Sequence, residues 1–337
     1  ARPTLCFYYA WTLVWQGRSM KVIESLLQDA DRGDERDAAR VTALRGLLAG
    51  FQGQVGLAAE LSRRALERLP AEEQFMRTLA TWILTTTQPS GSIDDQALEE
   101  VLSISRRADN VMLSFMVACN RAELSMREGQ LRRAAATYRR ALEMATGAQG
   151  ERLPIAGPAL VGLGELAREW GDLDTATQYL SESIRLSERW TEIGALDAYI
   201  SLSRVRWAQG NVEGAWEAID KAQELAALYD LTELDDLTVA LFRAWLHVAQ
   251  GDLAAVLRWA EARELLQYID APLREQAGDS YDHRMKKYEL LVLARALIVP
   301  GDLLPYLFPS AALAMLLTTT AGLPAAVGTT IFVGGIS

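Results

Sequence analysis

The sequence predicts an all-α fold, a right-handed superhelix of about seven to eight antiparallel helix pairs. Three observations lead to this prediction. Amphipathic helical patterns run through the chain, with no strand pattern before residue 300. A glycine recurs about every 40 residues, and small residues stand at fixed distances from it. Such repeats bury their apolar faces by stacking on one another rather than by closing into a globule.

The clearest helix pair spans Ala159 to Leu186, and the other repeats are aligned to it. Gly171 suits the left-handed residue that closes the first helix, and Asp172 suits the cap that opens the second. Gly164, seven residues before the turn glycine, predicts a close approach of the two helices. The sequence therefore defines one complete repeat.

The same pattern recurs along the chain. The turn glycines are Gly17, Gly53, Gly91, Gly129, Gly171, Gly210, Gly251 and Gly301, spaced 36, 38, 38, 42, 39, 41 and 50 residues apart. Small residues stand seven positions upstream, at Ala10, Gly46, Ala122, Gly164, Ser203, Ala244 and Ala294. Five positions downstream are Val22, Ala58, Ala134, Ala176, Ala215 and Val256. This spacing is typical of tetratricopeptide-like (TPR-like) repeats.

Two parts of the chain depart from the repeat. The third unit has Ala80 at the small position but a longer link between its helices, at residues 87–92. Residues 303–337 carry no charged side chain, so we expect one repeat domain at 1–302 and an atypical apolar tail, such as a truncated or out-of-frame terminus. A buried cap over the last repeat and a membrane span are the alternatives. Pro305, Pro309 and Pro324 disfavour the membrane span.

Composition narrows the class of partner and the compartment. The net charge is −10, from 44 acidic and 34 basic residues, which disfavours direct contact with nucleic acid. The two cysteines, Cys6 and Cys119, lie in apolar helical patterns and fit core thiols of a reducing, cytoplasmic compartment. We find no signal peptide pattern, and because the chain starts at Ala1 we expect a piece of a longer polypeptide.

Motifs of catalysis, metal binding and cofactor binding are missing from the sequence. We find no phosphate loop, no dinucleotide-binding glycine motif, no zinc-protease motif and no nucleophile elbow. His247 and His283 have no second ligand at metal-binding spacing. The acidic clusters at 34–37 and 233–236 are interpreted as solvated helix caps. The sequence therefore predicts a binding domain with no catalytic, metal or cofactor site, rather than an enzyme.

The groove of the superhelix is the predicted binding site, lined by the first helix of each pair. One row of residues predicted to face it is Trp11, Leu47, Glu123, Glu165, Arg204, Trp245 and Arg295. A second row, three residues further on, is Val14, Met126, Arg168, Trp207, Val248 and Ile298. Mixed tryptophan, arginine and glutamate side chains suit a sugar or a peptide. The alternative is that Trp207 and Trp245 fill the packing between repeats.

Three stretches carry a family resemblance: LCFYYAWTLVWQGR from Leu5, RVRWAQGNVEGAWEAI from Arg204, and KYELLVLARALI from Lys287. Together with the period, over about residues 4–300, they resemble the helical-repeat sensor region of large ATP-dependent LuxR-family regulators of the MalT type. The resemblance implies an inducer or regulatory protein as partner, control of self-assembly, and flanking ATPase and helix-turn-helix modules. Neither module is visible in this sequence.

Two functions from different classes follow. The first is a non-enzymatic sensing and protein-interaction domain of a bacterial transcription activator. The second is a stand-alone TPR-like scaffold that binds peptides or proteins through the same groove. An ATPase module upstream or a helix-turn-helix downstream in the coding sequence would decide for the first.

Overall fold

The regular structure of the chain is helical, as the sequence predicts. The computed structural model describes residues 2–15, 20–52, 54–87, 95–107, 110–187, 195–228, 233–268, 289–294 and 296. Within these ranges the backbone forms α-helices, two short 3₁₀ turns and one isolated bridge between Thr146 and Arg152. The all-α prediction is confirmed. The tail at 303–337 lies outside the described residues, so its assignment stays a prediction.

The helices alternate between a first and a second member of each pair. The first helices are α1 (Pro3–Trp15), α3 (Glu35–Phe51), α5 (Gln74–Thr86), α7 (Val111–Arg127), α9 (Gly157–Glu169), α11 (Leu196–Ala208) and α13 (Glu233–Gln250). The second helices are α2 (Met20–Ala30), α4 (Val55–Arg68), α6 (Asp95–Arg107), α8 (Leu131–Met144), α10 (Leu173–Ser187), α12 (Val212–Leu228) and α14 (Leu253–Ala262). The 3₁₀ turns are Pro154–Ala156 and Leu266–Tyr268, and residues 289–294 are helical.

The pairs stack into a superhelix with two layers. Each helix packs on the next in the chain, and the first helices of neighbouring pairs also touch, at α1–α3, α3–α5, α7–α9 and α9–α11. Neighbouring second helices make weaker contacts at most within the described ranges. Because the first helices lie closer together, they form the inner, concave layer.

Four of the eight predicted turn glycines lie in the described residues, and their turns have the predicted chemistry; Gly17, Gly53, Gly91 and Gly301 lie outside those residues. Gly171 has a φ of +77°, the left-handed conformation that favours glycine, and Gly129, Gly210 and Gly251 repeat it. The Asp172 carboxylate accepts a hydrogen bond from the Thr175 backbone N–H at 3.1 Å, which caps α10.

The small positions are contact points between paired helices. A Cβ on Gly164 would lie 2.8 Å from the Leu180 side chain, so only glycine allows this approach. The buried small residues include Ala10, Ala80, Ala122, Ser203 and Ala244 upstream of the turns, and Ala58, Ala134, Ala176, Ala215 and Val256 downstream. The prediction is wrong at Val22, which is half-exposed, because the first pair buries the neighbouring Ile23 instead.

The core runs along the whole array. One cluster of buried side chains extends from Cys6 to Leu186, and three further clusters continue it to Ala296. Cys6 and Cys119 are free thiols in this core, as predicted. No helix in the described ranges is both long and apolar enough to cross a bilayer.

Candidate ligand-binding groove

A cluster of four charged side chains lies at the middle of the concave layer. The central cluster consists of Glu165, Arg168 and Glu169 on α9 and Arg204 on α11. Arg204 donates from Nη1 to Glu165 Oε2 at 2.9 Å, and Arg168 donates from Nη2 to the same oxygen at 3.1 Å. Arg168 also pairs with Glu169. The side chains of Glu165 and Arg204 are each only 6% exposed, so the pair is shielded from bulk water.

Burial and charge compete in setting the ionisation of this cluster. Burial alone raises the pKa of Glu165, but the charges of Arg204 and Arg168 outweigh it and lower that pKa below its ordinary value. Burial, followed by the like charge of Arg168, lowers the pKa of Arg204 to about 10. Burial raises the pKa of Glu169. Glu165 and Arg204 therefore form a charged pair at neutral pH.

Aromatic rings extend the cluster onto the next first helix. The Arg204 guanidinium lies 5.6 Å from the centre of the Phe242 ring on α13. One turn further along both helices, Trp207 and Trp245 meet edge to face, with ring centres 6.1 Å apart. Both tryptophans are partly buried against a core cluster. They have a packing role and also present part of their surface to solvent.

On the other side of the central cluster, α7 contributes polar groups. Trp82 donates from Nε1 to Asn120 Oδ1 at 2.7 Å, and Asn120 donates to Glu123 Oε2 at 3.3 Å. Tyr138 is fully buried nearby. Burial is the main cause of its raised pKa, and the charge of Glu123 adds to it. The hydrogen bond from Asn120 therefore orients the Glu123 carboxylate on α7.

A second charged cluster at the amino-terminal end was not predicted. The amino-terminal cluster consists of Thr4, Arg36, Asp37, Arg40 and Glu73. Arg40 donates from Nη2 to Glu73 Oε1 at 2.6 Å and from Nη1 to Asp37 Oδ1 at 3.2 Å. Thr4 donates to Asp37 Oδ2 at 3.0 Å, and Arg36 pairs with Glu73. The cluster therefore joins α1, α3 and the start of α5.

The amino-terminal cluster borders an open cleft. This cleft has a volume of about 580 Å³, and its walls include Arg36, Glu73, Phe75, Asn110 and Val111. The sequence predicts that the acidic run at 34–37 forms solvated helix caps. That is correct for Asp34, which accepts from the Asp37 N–H at 2.8 Å, and wrong for Asp37 itself, which is buried. The sequence signal that could have indicated this cluster is the pair Arg36 and Arg40, one turn apart on α3 beside the acidic run.

The predicted groove residues divide into four sets. Glu165, Arg168, Arg204, Trp207 and Trp245 take part in the contacts between first helices described above, and Glu123 lies on the neighbouring first helix α7. Trp11 stands apart and packs edge to face on Phe75 at 5.1 Å. Arg295 and Ile298 lie outside the described residues. Leu47, Met126 and Val248 are buried apolar side chains that turn into the helix contacts, so their predicted projection into the groove is wrong, and Val14 packs partly buried against the core. Glu165 and Arg204 are equally buried, so they lie beneath the groove surface.

No group of three or more histidine, cysteine or acidic residues in the described part of the chain is arranged to hold a metal ion. His247 stacks on Trp216, with ring centres 4.8 Å apart, and its Nδ1 lies 3.4 Å from Asp252. Desolvation lowers its pKa, which favours the neutral ring. These contacts describe a packed helix residue.

Comparison with solved structures gives two similar chains, of which the first supports the fold. The crystal structure of a Rap protein complexed with Competence and Sporulation Factor matches with a TM-score of 0.61 and 17% identity, over 88% of this chain and 85% of that chain. BtubC (BKLC) from P. vanneervenii matches with a TM-score of 0.42 and 18% identity, over 68% of this chain and 89% of that chain. The first match supports the helical-repeat fold. No curated protein sequence gives a significant match.

Comparison with protein families gives the assignment. The profile of the MalT-like TPR region matches residues 39–316, which is most of the chain and includes every member of the central cluster. The repeat spacing, the helix pairs and this match agree. The chain belongs to the MalT-like TPR region family.

Proposed function

We propose that this chain is the effector-sensing and protein-interaction region of a bacterial, cytoplasmic LuxR-type transcription activator. In this proposal it is not an enzyme: it binds an inducer or a regulatory protein in the groove and so controls self-assembly of the activator. Its other partners are the ATPase and DNA-binding modules of the same regulator, and it does not contact DNA directly. Membership of the MalT-like TPR region family supports this context.

One observation carries the binding proposal: α11 and α13 meet at two adjacent contacts, one helical turn apart. Arg204 lies over Phe242 at the first contact, and Trp207 meets Trp245 at the second. The tryptophan pair offers apolar surface one helical turn from a charged, hydrogen-bonding cluster. Binding sites combine mainly apolar walls with a few fixed polar groups, and tryptophan and arginine are enriched among residues that dominate binding energy. Because the cluster is neutral overall, it suits a partner with mixed polar and apolar character better than a polyanion.

The buried ion pair has a supporting role in this site. Glu165 and Arg204 form an ion pair with each other, so we expect them to hold α9 and α11 in place under the ligand rather than to contact it. The side chains of Trp207, Trp245 and Glu123 are more exposed to solvent than this ion pair, and they are the expected contact residues. The shared fold with a Rap protein, crystallised with a bound factor, supports a groove that accepts a peptide or protein.

The experiment is a thermal-shift screen of sugars and short peptides with the whole chain. Each hit is then titrated by calorimetry against Trp245→Ala and against Trp170→Ala. Trp170 is an exposed tryptophan at the α9–α10 turn, outside the row, and is the matched control. We expect Trp245→Ala to weaken binding by about tenfold or more and Trp170→Ala to leave it unchanged.

Two results would contradict the proposal. Unchanged affinity in Trp245→Ala, together with a large fall in melting temperature, would assign that residue to packing alone. Turnover of ATP by the purified chain would contradict the non-enzymatic part. The coding sequence on either side of this chain separates the regulator from the stand-alone scaffold.

A further inference from the structure

One helix of the outer layer has a charge opposite to that of the whole chain. The net charge of the chain is −10, whereas α8 contains four arginines and one glutamate. All four arginine side chains are exposed: Arg132, Arg133, Arg139 and Arg140. The guanidinium groups of Arg132, Arg139 and Arg140 have no ion pair or hydrogen bond with another described residue. Because α8 packs on α7 and α9, repeats flank this basic surface on both sides.

Equivalent positions of the next two repeats carry a different charge. Positions 3, 7, 10 and 14 after the turn glycine are exposed in α8, α10 and α12, and we call this surface the outer face. In α8 these positions, with two further arginines alongside, are Arg132, Ala136, Arg139 and Glu143. In α10 one acid and one base stand on either side of two uncharged residues, in the order Asp174, Gln178, Ser181 and Arg185. In α12 all four positions are acidic, at Glu213, Glu217, Asp220 and Glu224. The outer face therefore changes from basic on α8, through balanced on α10, to acidic on α12.

We propose that the outer face packs against the same face of a second copy of this chain. A two-fold axis along α10 places α8 of each copy against α12 of the other, so the same pairing of opposite charges occurs twice. An axis in this direction keeps the paired helices parallel. Residues at equal positions in the repeat therefore meet: Arg132 and Arg139 lie opposite Glu213 and Asp220 of the second copy.

The self-complementary charge pattern identifies a second copy as the partner. A two-fold contact between unlike helices requires basic and acidic groups at equal heights on either side of one axis. The outer face meets this requirement, because α8 and α12 are each one repeat away from α10. A nucleic acid or an anionic membrane covering the same face would be repelled by the four acidic residues of α12. A separate acidic protein would leave the match between the two helices unexplained.

The acidic residues of α12 remain available for this contact. Three of them have an ion pair within the chain: Glu217 with Arg206, Asp220 with Arg243, and Glu224 with Lys221. These three carboxylate side chains are each more than half exposed, and exposed ion pairs contribute little stability. A carboxylate has two oxygens, so each of them accepts a further hydrogen bond. The planar guanidinium of arginine matches a carboxylate with two parallel N–H groups.

The shape of the array also suits this contact. Two convex surfaces touch along a line, and α10 lies on that line with Gln178 and Ser181 at its middle. The long side chains of arginine and glutamate reach across the space on either side. Because α9 packs on the other side of α10, the contact leaves the predicted groove open and does not depend on what the groove binds.

The experiment measures the molar mass of the whole chain by sedimentation over a concentration series, at low and at high salt. At low salt the wild-type chain is expected to pass from a mass of 37.2 kDa to twice that value as its concentration rises. In about 1 M salt the dimer should weaken, because the screening length falls to about 3 Å. The charge-reversed variant of α8, Arg132→Glu/Arg139→Glu, should weaken the low-salt dimer by about tenfold or more. The matched control, Arg63→Glu/Arg68→Glu at exposed arginines of α4, should leave it unchanged.

A mixing test identifies the two helices as partners. The charge-reversed variant of α12, Glu213→Arg/Asp220→Arg, should also weaken the dimer when it is measured alone. An equal mixture of the two variants should restore dimers, because both contacts of the mixed pair then join opposite charges. All four substituted residues are exposed, so circular dichroism should stay that of the wild type.

Three results would overturn the proposal. A wild-type chain that stays monomeric at low salt leaves a different, acidic protein as the partner of α8. A dimer that the α4 control weakens as strongly as the α8 variant, or a mixture that does not restore dimers, places the contact elsewhere. None of these results changes the expected ligand titrations of Trp245→Ala, so this contact and the proposed groove fail separately.

Discussion

The amino-terminal and central clusters are built from the same charges but ionise differently. Each contains two arginines and two carboxylates on first helices. In the amino-terminal cluster the pKa of Arg40 is raised, mainly by its hydrogen bond to Glu73. In the central cluster the pKa of Arg204 is lowered to about 10, mainly by burial. The balance between pairing and desolvation is therefore reversed between Arg40 and Arg204.

Depth in the fold explains the difference. Arg36 of the amino-terminal cluster is half-exposed and borders the open cleft, so water reaches one side of the cluster. Glu165, Arg168 and Arg204 are nearly enclosed, so each of them depends on protein partners for its solvation. A buried ion pair contributes little net stability, but removing one partner leaves a charge without compensation. We expect the two clusters to respond differently to the same change.

The largest effect is expected from Glu165→Gln. This variant leaves Arg168 and Arg204 facing each other without the carboxylate that both contact. Loss of one member of a buried pair costs about 3–5 kcal/mol. Urea unfolding followed by circular dichroism should show this decrease in the free energy of unfolding.

The matched control is the double variant Glu165→Gln/Arg204→Met. It removes the pair as a whole and replaces the guanidinium with an apolar side chain, so it should recover a large part of the lost stability. A single variant that loses less than about 1 kcal/mol would show that water already reaches the central cluster.

A smaller effect is expected from Glu73→Gln in the amino-terminal cluster. Arg40 keeps its contact with Asp37, and Arg36 turns to solvent. The remaining cost is that of unsatisfied groups at a partly open site, about 1–3 kcal/mol. The same unfolding measurement tests it. If Glu73→Gln loses as much free energy of unfolding as Glu165→Gln, or more, the result would contradict the deeper burial of the central cluster.

The repeat architecture was predictable because its signals are local. Gly171 and Asp172 determine a turn through backbone conformation and helix capping. Gly164 marks a close contact between the paired helices, and aligning the repeats on the turn glycine is enough to find this position. Val22 shows where this reasoning ends. The buried position in α2 is Ile23 instead, and no residue within α2 signals this shift by one position.

The candidate site was predictable only in part. Glu165 and Arg204 meet across neighbouring first helices, and Trp245 meets Trp207 one turn away, but their role in a ligand-binding row stays a prediction. Helical spacing did not predict that Glu165 and Arg204, 39 residues apart, neutralise each other. The amino-terminal cluster was missed for the same reason, since Arg40 meets Glu73 across 33 residues. Pairing between repeats depends on the angle at which they stack, which the helical period alone does not define.

The carboxylates of the two clusters make the stability of the chain depend on pH. Glu73 and Glu165 have pKa values below their ordinary value of 4.5 in the folded chain. Their contribution to stability is present above pH 4.5 and is lost as the pH falls through the lowered values. Glu169 acts in the opposite direction, since its raised pKa favours the folded state at low pH.

The measurement is the free energy of unfolding between neutral and acid pH. The wild-type chain should lose stability on acidification, and both Glu73→Gln and Glu165→Gln should lose less, because each lacks one titrating carboxylate. Parallel pH curves for the wild type and Glu165→Gln would contradict the depressed pKa of Glu165.

The smallest effect is expected from Arg36→Met, and it shows how far water reaches into the amino-terminal cluster. Arg36 is half-exposed, so its ion pair with Glu73 should stabilise the chain by no more than about 1 kcal/mol. Added salt screens an exposed pair, so the difference between Arg36→Met and the wild type should shrink as the ionic strength rises. Glu165→Gln in the same salt series is the reference, and its effect should persist because salt does not reach a buried pair. A salt-independent loss in Arg36→Met would place Arg36 in the same enclosed environment as Arg204, and the two clusters would then differ in position alone.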